Sequence, residues 1–203
     1  MGNETSPTKR FRHLRVTKPS PWIARFAPLV GNEGSVLDLA CGNGRHGRLF
    51  LEHGCSVTFV DRHVDAVDDV RGTERATILE IDLEDGKPFP FADQSFDGIV
   101  VSNYLYRPHF PGLLSALADD GVLIYETFAR GNETFSKPRN PDHLLCAGEL
   151  LTAFGTDLQV VAYAHGISRN GPIPGVIQRL CAVKNLHRQR SEDHQPPPQE
   201  LFP

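Results

Sequence analysis

The segment Val36-Leu37-Asp38-Leu39-Ala40-Cys41-Gly42-Asn43-Gly44-Arg45-His46-Gly47 constrains this chain more than any other. An apolar run, Ser35–Ala40, reads as a strand, and it enters a Gly-x-Gly turn that opens at once into a helix over Arg45–His53. Glycine at 42 and 44 permits positive φ in a tight turn and lets the backbone approach a ligand. The helix N-terminus adds free amides and the positive end of a dipole, where a carboxylate or phosphate can sit. Asp38 lies inside the strand near its end, and a carboxylate buried there needs a partner, for which a cationic amino group on the ligand is well suited.

Strand and helix patterns alternate after this point. Strands are expected at Ser56–Val60, Thr77–Ile81, Phe96–Ser102, Val122–Phe128, Leu158–Ala164 and Gly175–Lys184. Helices are expected at Trp22–Leu29, His63–Arg71, Pro111–Leu117 and Ala147–Phe154, the first with Ser20 as N-cap and Pro21 at its first position. The pattern predicts an α/β fold with a mostly parallel seven-stranded sheet, helices on both faces and an antiparallel edge hairpin. With 203 residues, it divides into a flexible basic arm (1–19), one domain (20–184) and a tail (185–203) that carries Pro196-Pro197-Pro198.

Three acids end successive strands: Asp38, Asp61 and Asp82. An acid about twenty residues beyond the glycines takes ribose hydroxyls in nucleotide-binding folds, which assigns Asp61 that role. Asp82 is placed to accept from an adenine amino group, Leu83 to pack on the ring, and Arg62 to lie along its face. The spacing Gly42-x-Gly44-x-x-Gly47 also satisfies the dinucleotide fingerprint, so an NAD-binding protein is the competing reading. Against it stand the acid before the glycines, the helix before the first strand and the lack of a separate substrate domain.

The whole first set of motifs resembles the class I S-adenosylmethionine-dependent methyltransferase superfamily over about residues 20–184. VLDLACGNGRHG is similar to its first motif, VTFVD to its second, IDLEDGKPFPF to its third, FDGIVVSNYL to its fourth and GVLIYETF to its fifth. The stretch from Val101 to Leu145 resembles a group of small bacterial methyltransferases, loosely similar to tellurite-resistance-type enzymes. The resemblance implies a Rossmann-like fold that binds S-adenosylmethionine and releases S-adenosylhomocysteine. It implies that Asp38, Gly42 and Gly44, with Ala40 and Cys41 in the same loop, hold the methionine part, that Asp61 holds the ribose, and that Asp82 and Leu83 hold the adenine. Ser102, Asn103 and Tyr104 would border the methyl group. Cys41 departs from the small Gly or Ala usual there.

Methyl transfer is an in-line displacement, so the protein mainly aligns the nucleophile and excludes water, with a general base where a hydroxyl or amine is methylated. Candidates beyond the fourth and fifth strands are Tyr104, Tyr106, Arg107, His109 and Glu126, with Tyr104 and His109 as the catalytic pair and a solvated loop histidine as the plainer alternative. Glu126 is read as a site for an acceptor cation or the cofactor edge, or as a paired structural group. Trp22 and Phe26 are read as a lid or as core. Arg130, Asn132, Lys137 and Arg139 in the long loop 129–142 are read as anchors for an anionic acceptor or as solvated residues.

A net charge of −4 disfavours general nucleic-acid binding and favours a small-molecule acceptor. Charge is segregated, however: no acid occurs from Thr5 to Asn32, where Lys9, Arg10, Arg12, Arg15, Lys18 and Arg25 lie. The alternative is therefore an RNA or protein methyltransferase docking through that arm. Met1–Ser6 also fits the short N-myristoylation pattern. Four cysteines without a C-x-x-C pair point to no metal site and to reduced thiols, and no apolar run is long enough to span a bilayer, so a cytoplasmic protein is expected.

Overall fold

The computed structural model describes residues 16–169, 174–185 and 195–200. Helix α1 (Pro21–Phe26) starts as its sequence dictates: the Ser20 side chain accepts from the Trp22 amide and Pro21 takes the first turn. It is shorter than expected because Pro28 forces a 3₁₀ turn over Ala27–Val30. Ile23 and Phe26 are fully buried, whereas Trp22 is half-buried.

Strand β1 (Ser35–Leu39) leads through the glycine loop into α2 (Arg45–Glu52), and β2 (Ser56–Asp61) and β3 (Ala76–Glu80) follow. Between β2 and β3 the expected helix His63–Arg71 is instead a 3₁₀ stretch, Asp65–Val70. Val64, Val67 and Val70 are all buried and three residues apart, which matches the three-residue turn of a 3₁₀ helix, and these valines and the aspartates Asp65, Asp68 and Asp69 are weak α-helix formers. Next come β4 (Phe96–Ser102), α3 (Phe110–Ala116), β5 (Leu117–Phe128), α4 (Glu149–Phe154), β6 (Gln159–Ser168) and β7 (Gly175–Val183).

The sheet order is β3-β2-β1-β4-β5-β7-β6. All pairs are parallel except β5–β7 and β6–β7. Burial explains why β7 lies inside and β6 at the edge. The β7 run VIQRLCAV is buried along most of its length, while β6 has no fully buried residue and leaves Ile167 52% exposed. One core packs α3 and α4 against one face of the sheet, through Leu113, Tyr125, Leu150 and Phe154. The other packs α1 and α2 through Ile23, Phe26, Phe50 and Phe59.

Residues 1–15, which hold the myristoylation pattern and the cations Lys9 to Arg15, lie outside the described residues, as do 186–194 and 201–203 of the tail. Within the tail, the Pro197 carbonyl accepts from Gln159 Nε2 at 3.2 Å. Cys41, Cys55 and Cys181 are buried thiols and Cys146 is exposed. No helix among the described residues is long and apolar enough to cross a membrane.

Candidate active site

The strands β1, β2 and β4 end side by side, and the loop from β1 to α2 lies across their ends. Ala40, Gly42 and Gly44 all adopt positive φ, at 54°, 58° and 68°. The turn is held from below: Cys41 N donates to Val60 O, and Gly42 N donates to Asp61 Oδ2 at 2.9 Å. Asp61 Oδ1 accepts from His63 N at 3.2 Å. Each Asp61 oxygen thus takes one amide and retains acceptor capacity toward solvent, as a ribose diol requires.

The glycines divide their work differently from the expectation of an open cradle. A Cβ at Gly44 would stand 2.5 Å from Val67 Cγ1 and 3.0 Å from the Phe59 ring. One at Gly47 would overlap Phe59, with Cζ at 2.7 Å. Gly47, and in part Gly44, serves the close approach of α2 to β2.

Asp38 is 1% exposed. The protein itself supplies partners where a ligand ammonium was the expected one: Oδ2 accepts from Gly47 N at 2.8 Å, and the Arg45 guanidinium lies within its field. Burial still dominates and pushes the carboxyl up to about 7, against the opposing pull of the Gly47 amide and Arg45.

Arg45 and His46 begin α2 and point inward, at 7% and 3% exposure. Sequence reasoning passed over both. The signal was their place in the first turn of a helix whose opposite face is sealed by Phe59. Arg45 Nε donates to His46 Nε2 at 3.0 Å, so the imidazole carries its proton on Nδ1. Burial, reinforced by the neighbouring guanidinium, pushes His46 down to about 3 and keeps it neutral. Arg45 Nη2 reaches Ser102 Oγ at 3.5 Å, and Ser102 Oγ donates to Glu126 Oε1 at 3.4 Å. Glu126 Oε2 accepts from Arg179 Nε at 3.1 Å. Glu126 is therefore the paired structural group of the two readings above.

The other predicted residues separate in the structure. Asn103 is exposed with φ 55° and donates its amide to Glu126 O. Tyr104 is half-buried, and its hydroxyl is buried without a hydrogen-bond partner among the described residues. Burial, then the charge of Glu84, Tyr106, Asp82 and Asp61, pushes its pKa upward. This hydroxyl, within the field of Asp61 and Asp82, is a buried donor left unsatisfied by the described residues.

His109 is not a solvated loop residue. It is 3% exposed, its Nε2 donates to Leu83 O at 2.7 Å, and Phe89 and Tyr106 pack edge-on against its ring at 5.1 and 4.7 Å. Burial lowers its pKa. The contact fixes the backbone of the buried Leu83. Asp82 is exposed and turns Oδ1 to the Glu84 amide, and Arg62 is exposed.

Arg107 binds both carboxylate oxygens of Glu149 and the carbonyls of Asp142 and Leu144, so it ties the long loop to α4. Arg130 pairs with Glu133. Asn132 is fully buried and pins the loop from within: Nδ2 donates to Ser136 O and Pro138 O, and Oδ1 accepts from Val176 N. Of the four loop residues read as anion anchors, Lys137 and Arg139 alone are exposed with no ion pair among the described residues. Trp22 is neither lid nor plain core. Its indole nitrogen donates to Leu180 O, and Arg179 lies 5.9 Å from its ring.

Residues 36–119 match the family model of a methyltransferase domain. Over that stretch the chain is similar to methyltransferase domains. No curated protein sequence matches the chain. Among solved structures, the N-methyltransferase NodS from Bradyrhizobium japonicum shares 18% identity at TM-score 0.60, covering 90% of this chain and 99% of its own. The 1,6-didemethyltoxoflavin N1-methyltransferase from Burkholderia thailandensis, solved with its substrate and S-adenosylhomocysteine, shares 18% at TM-score 0.60 over 88% of this chain and 80% of its own. TehB from Haemophilus influenzae shares 16% at TM-score 0.59 over 80% of this chain and 61% of its own, so the tellurite-resistance likeness rests on fold alone. At such identities these structures are similar to this chain in fold alone.

Proposed function

We propose that this protein transfers a methyl group from S-adenosylmethionine to a small-molecule acceptor. The reading is carried by one arrangement: the Gly42 amide is fixed by Asp61, so the glycine turn and the acid that ends β2 form a single unit facing the cleft. Asp61 keeps lone pairs for two ribose hydroxyls, and the Tyr104 hydroxyl waits for a partner on the same side. Both fit the adenosine half of the cofactor. At the other end, Asp38 and the first turn of α2 fit an amino acid, whose ammonium meets the buried carboxyl and whose carboxylate meets the positive end of the helix dipole.

S-adenosylmethionine, when bound, supplies the activated methyl on its sulfonium. The chain's own residues bind, orient and dry the site. Ser102 and Asn103 at the end of β4 would border the reacting atoms, and the bonds of His109 to Leu83 and of Tyr125 Oη to Tyr104 O hold the flanking backbone. Tyr104 is the group of this chain placed to contact acceptor or cofactor. His109 acts by positioning, because its Nε2 is committed to the Leu83 carbonyl.

The test is calorimetric titration of the purified chain with S-adenosylhomocysteine and, separately, NADH. Micromolar binding of the first alone is expected. Asp61→Ala should weaken it by about 100-fold or more, since two charge-assisted hydrogen bonds are lost. Asp61→Asn, which keeps an acceptor for Gly42, serves as the folded control. Tighter binding of NADH, or unchanged affinity in a folded Asp61→Ala protein, would overturn the reading. A methyl-transfer assay must follow, because the [4+2]-cyclase SpnF shares this fold at TM-score 0.58.

A further inference from the structure

A polar row crosses three strands, β4, β5 and β7, on the face that α1 and α2 cover, and ends against β6. Ser102 of β4 pairs in register with Glu126 of β5, Glu126 with Arg179 of β7, and Arg179 with Ala164 of β6. Arg45 closes the row at one end through Ser102. The row lies where β1, β4, β5 and β6 finish and β7 begins, which is the ligand edge of an open α/β sheet.

At its other end the row opens. Arg179 gives only Nε to Glu126. Among the described residues its two terminal nitrogens make no hydrogen bond, and Trp22 lies against the guanidinium. Arg179 lines a groove of about 370 Å³ between the end of β6 and the start of β7. Ala164, Gly166 and Ile177 form its small apolar part, His165 and Arg169 add donors, and among the described residues no carboxylate lines it. A Cβ at Gly166 would meet nothing within 4 Å, so the groove is open there. Glu126 cannot neutralise the region: it stands between Arg45 and Arg179, with Arg169 beyond.

We infer that this groove binds the anionic group, carboxylate or phosphate, of the methyl acceptor, with Arg179 as the specificity-determining contact and Arg169 as its second cation. Two free terminal NH2 groups on a planar fork match either oxyanion. Calling the ligand the acceptor rests on the methyl-transfer reading above. Strands β4 and β7 are two sheet spacings apart, roughly 10 Å. An acceptor whose anion sits at Arg179 and whose nucleophile reaches Ser102 is therefore a compact molecule, the size of an aromatic or short aliphatic acid.

The test is an NMR titration of the full-length chain with benzoate, phenyl phosphate and the neutral isostere benzamide, with and without S-adenosylhomocysteine. The two anions are expected to shift amides of residues 164–169 and 175–179, and benzamide is expected to leave them unmoved at the same concentration. Arg179→Gln should weaken the anions by about ten-fold or more, and Arg169→Gln by a few fold, with affinity for S-adenosylhomocysteine retained in both. If Arg179→Gln does not fold, Arg169→Gln and the benzoate–benzamide contrast decide. Equal binding of benzamide, undiminished anion affinity in the variants, or shifts elsewhere would overturn the inference. So would a short single-stranded RNA that binds far more tightly with steep salt dependence, because the groove would then serve a polyanion. Anion binding without S-adenosylhomocysteine binding sinks the methyl-transfer reading and leaves the groove. The reverse sinks the groove alone.

Discussion

Replacing Asp38 with asparagine isolates what it costs to bury a carboxyl at the end of β1. In the folded protein the group is pushed up to about 7, chiefly by burial. In the unfolded chain it titrates near 3.9. The folded value is the higher one, so the folded state holds its proton longer. The associated stability is fully present below about pH 4 and is lost as pH rises through about 7. At about 1.4 kcal/mol per unit, the three-unit gap amounts to roughly 4 kcal/mol above pH 7. The asparagine side chain keeps an acceptor for the Gly47 amide and carries no charge. The difference in unfolding free energy between the Asp38→Asn variant and wild type should therefore grow by roughly 3 kcal/mol from pH 5 to pH 8, in favour of the variant. Other titrating groups cancel in that difference. Urea denaturation of both proteins at the two pH values measures it. Parallel pH profiles would refute the argument, since they would mean that the Gly47 amide and Arg45 already compensate the charge. Saturating S-adenosylhomocysteine, whose ammonium is proposed to face Asp38, should flatten the wild-type profile.

Gly47→Ala forces a methyl into the Phe59 ring and should cost about 1–2 kcal/mol, the overpacking strain exceeding the gain in helix propensity; Phe59→Leu in the same chain should recover most of it, and additive effects in a double-mutant cycle would count against this packing role. Gly44→Val combines a branched residue at φ 68° with the clash on Val67, so it should lower stability as well as ligand affinity, seen as a fall in Tm without ligand. Asn132→Ala removes three buried hydrogen bonds at the root of the 129–142 loop and should cost about 2–3 kcal/mol, with faster amide exchange confined to that loop and the start of β7.

Much of the architecture was legible because local rules and the global fold agree. Alternating strand and helix patterns, Ser20-Pro21 at a helix start and two glycines in a turn each have a local physical cause. The segment after β2 misled because valines every third residue serve a 3₁₀ turn as well as an α-helical face. The site was legible only in outline. The acids Asp38, Asp61 and Asp82 announce themselves by ending strands. Arg45, His46 and Arg179 do not, because nothing local distinguishes an inward arginine from a solvated one.

The sequence by itself determined the succession of strands, the turn after β1 and the acids that border it, since these follow from side-chain periodicity and backbone freedom over a few residues. Tertiary structure alone decided which charges meet. Ser102, Glu126 and Arg179 are far apart in the chain and fall in one row because β7 inserts antiparallel between β5 and β6. Strand order is set by how much surface each strand can bury on both faces, a property of the assembled sheet. The same assembly turned His109 from a candidate base into a buried anchor on Leu83.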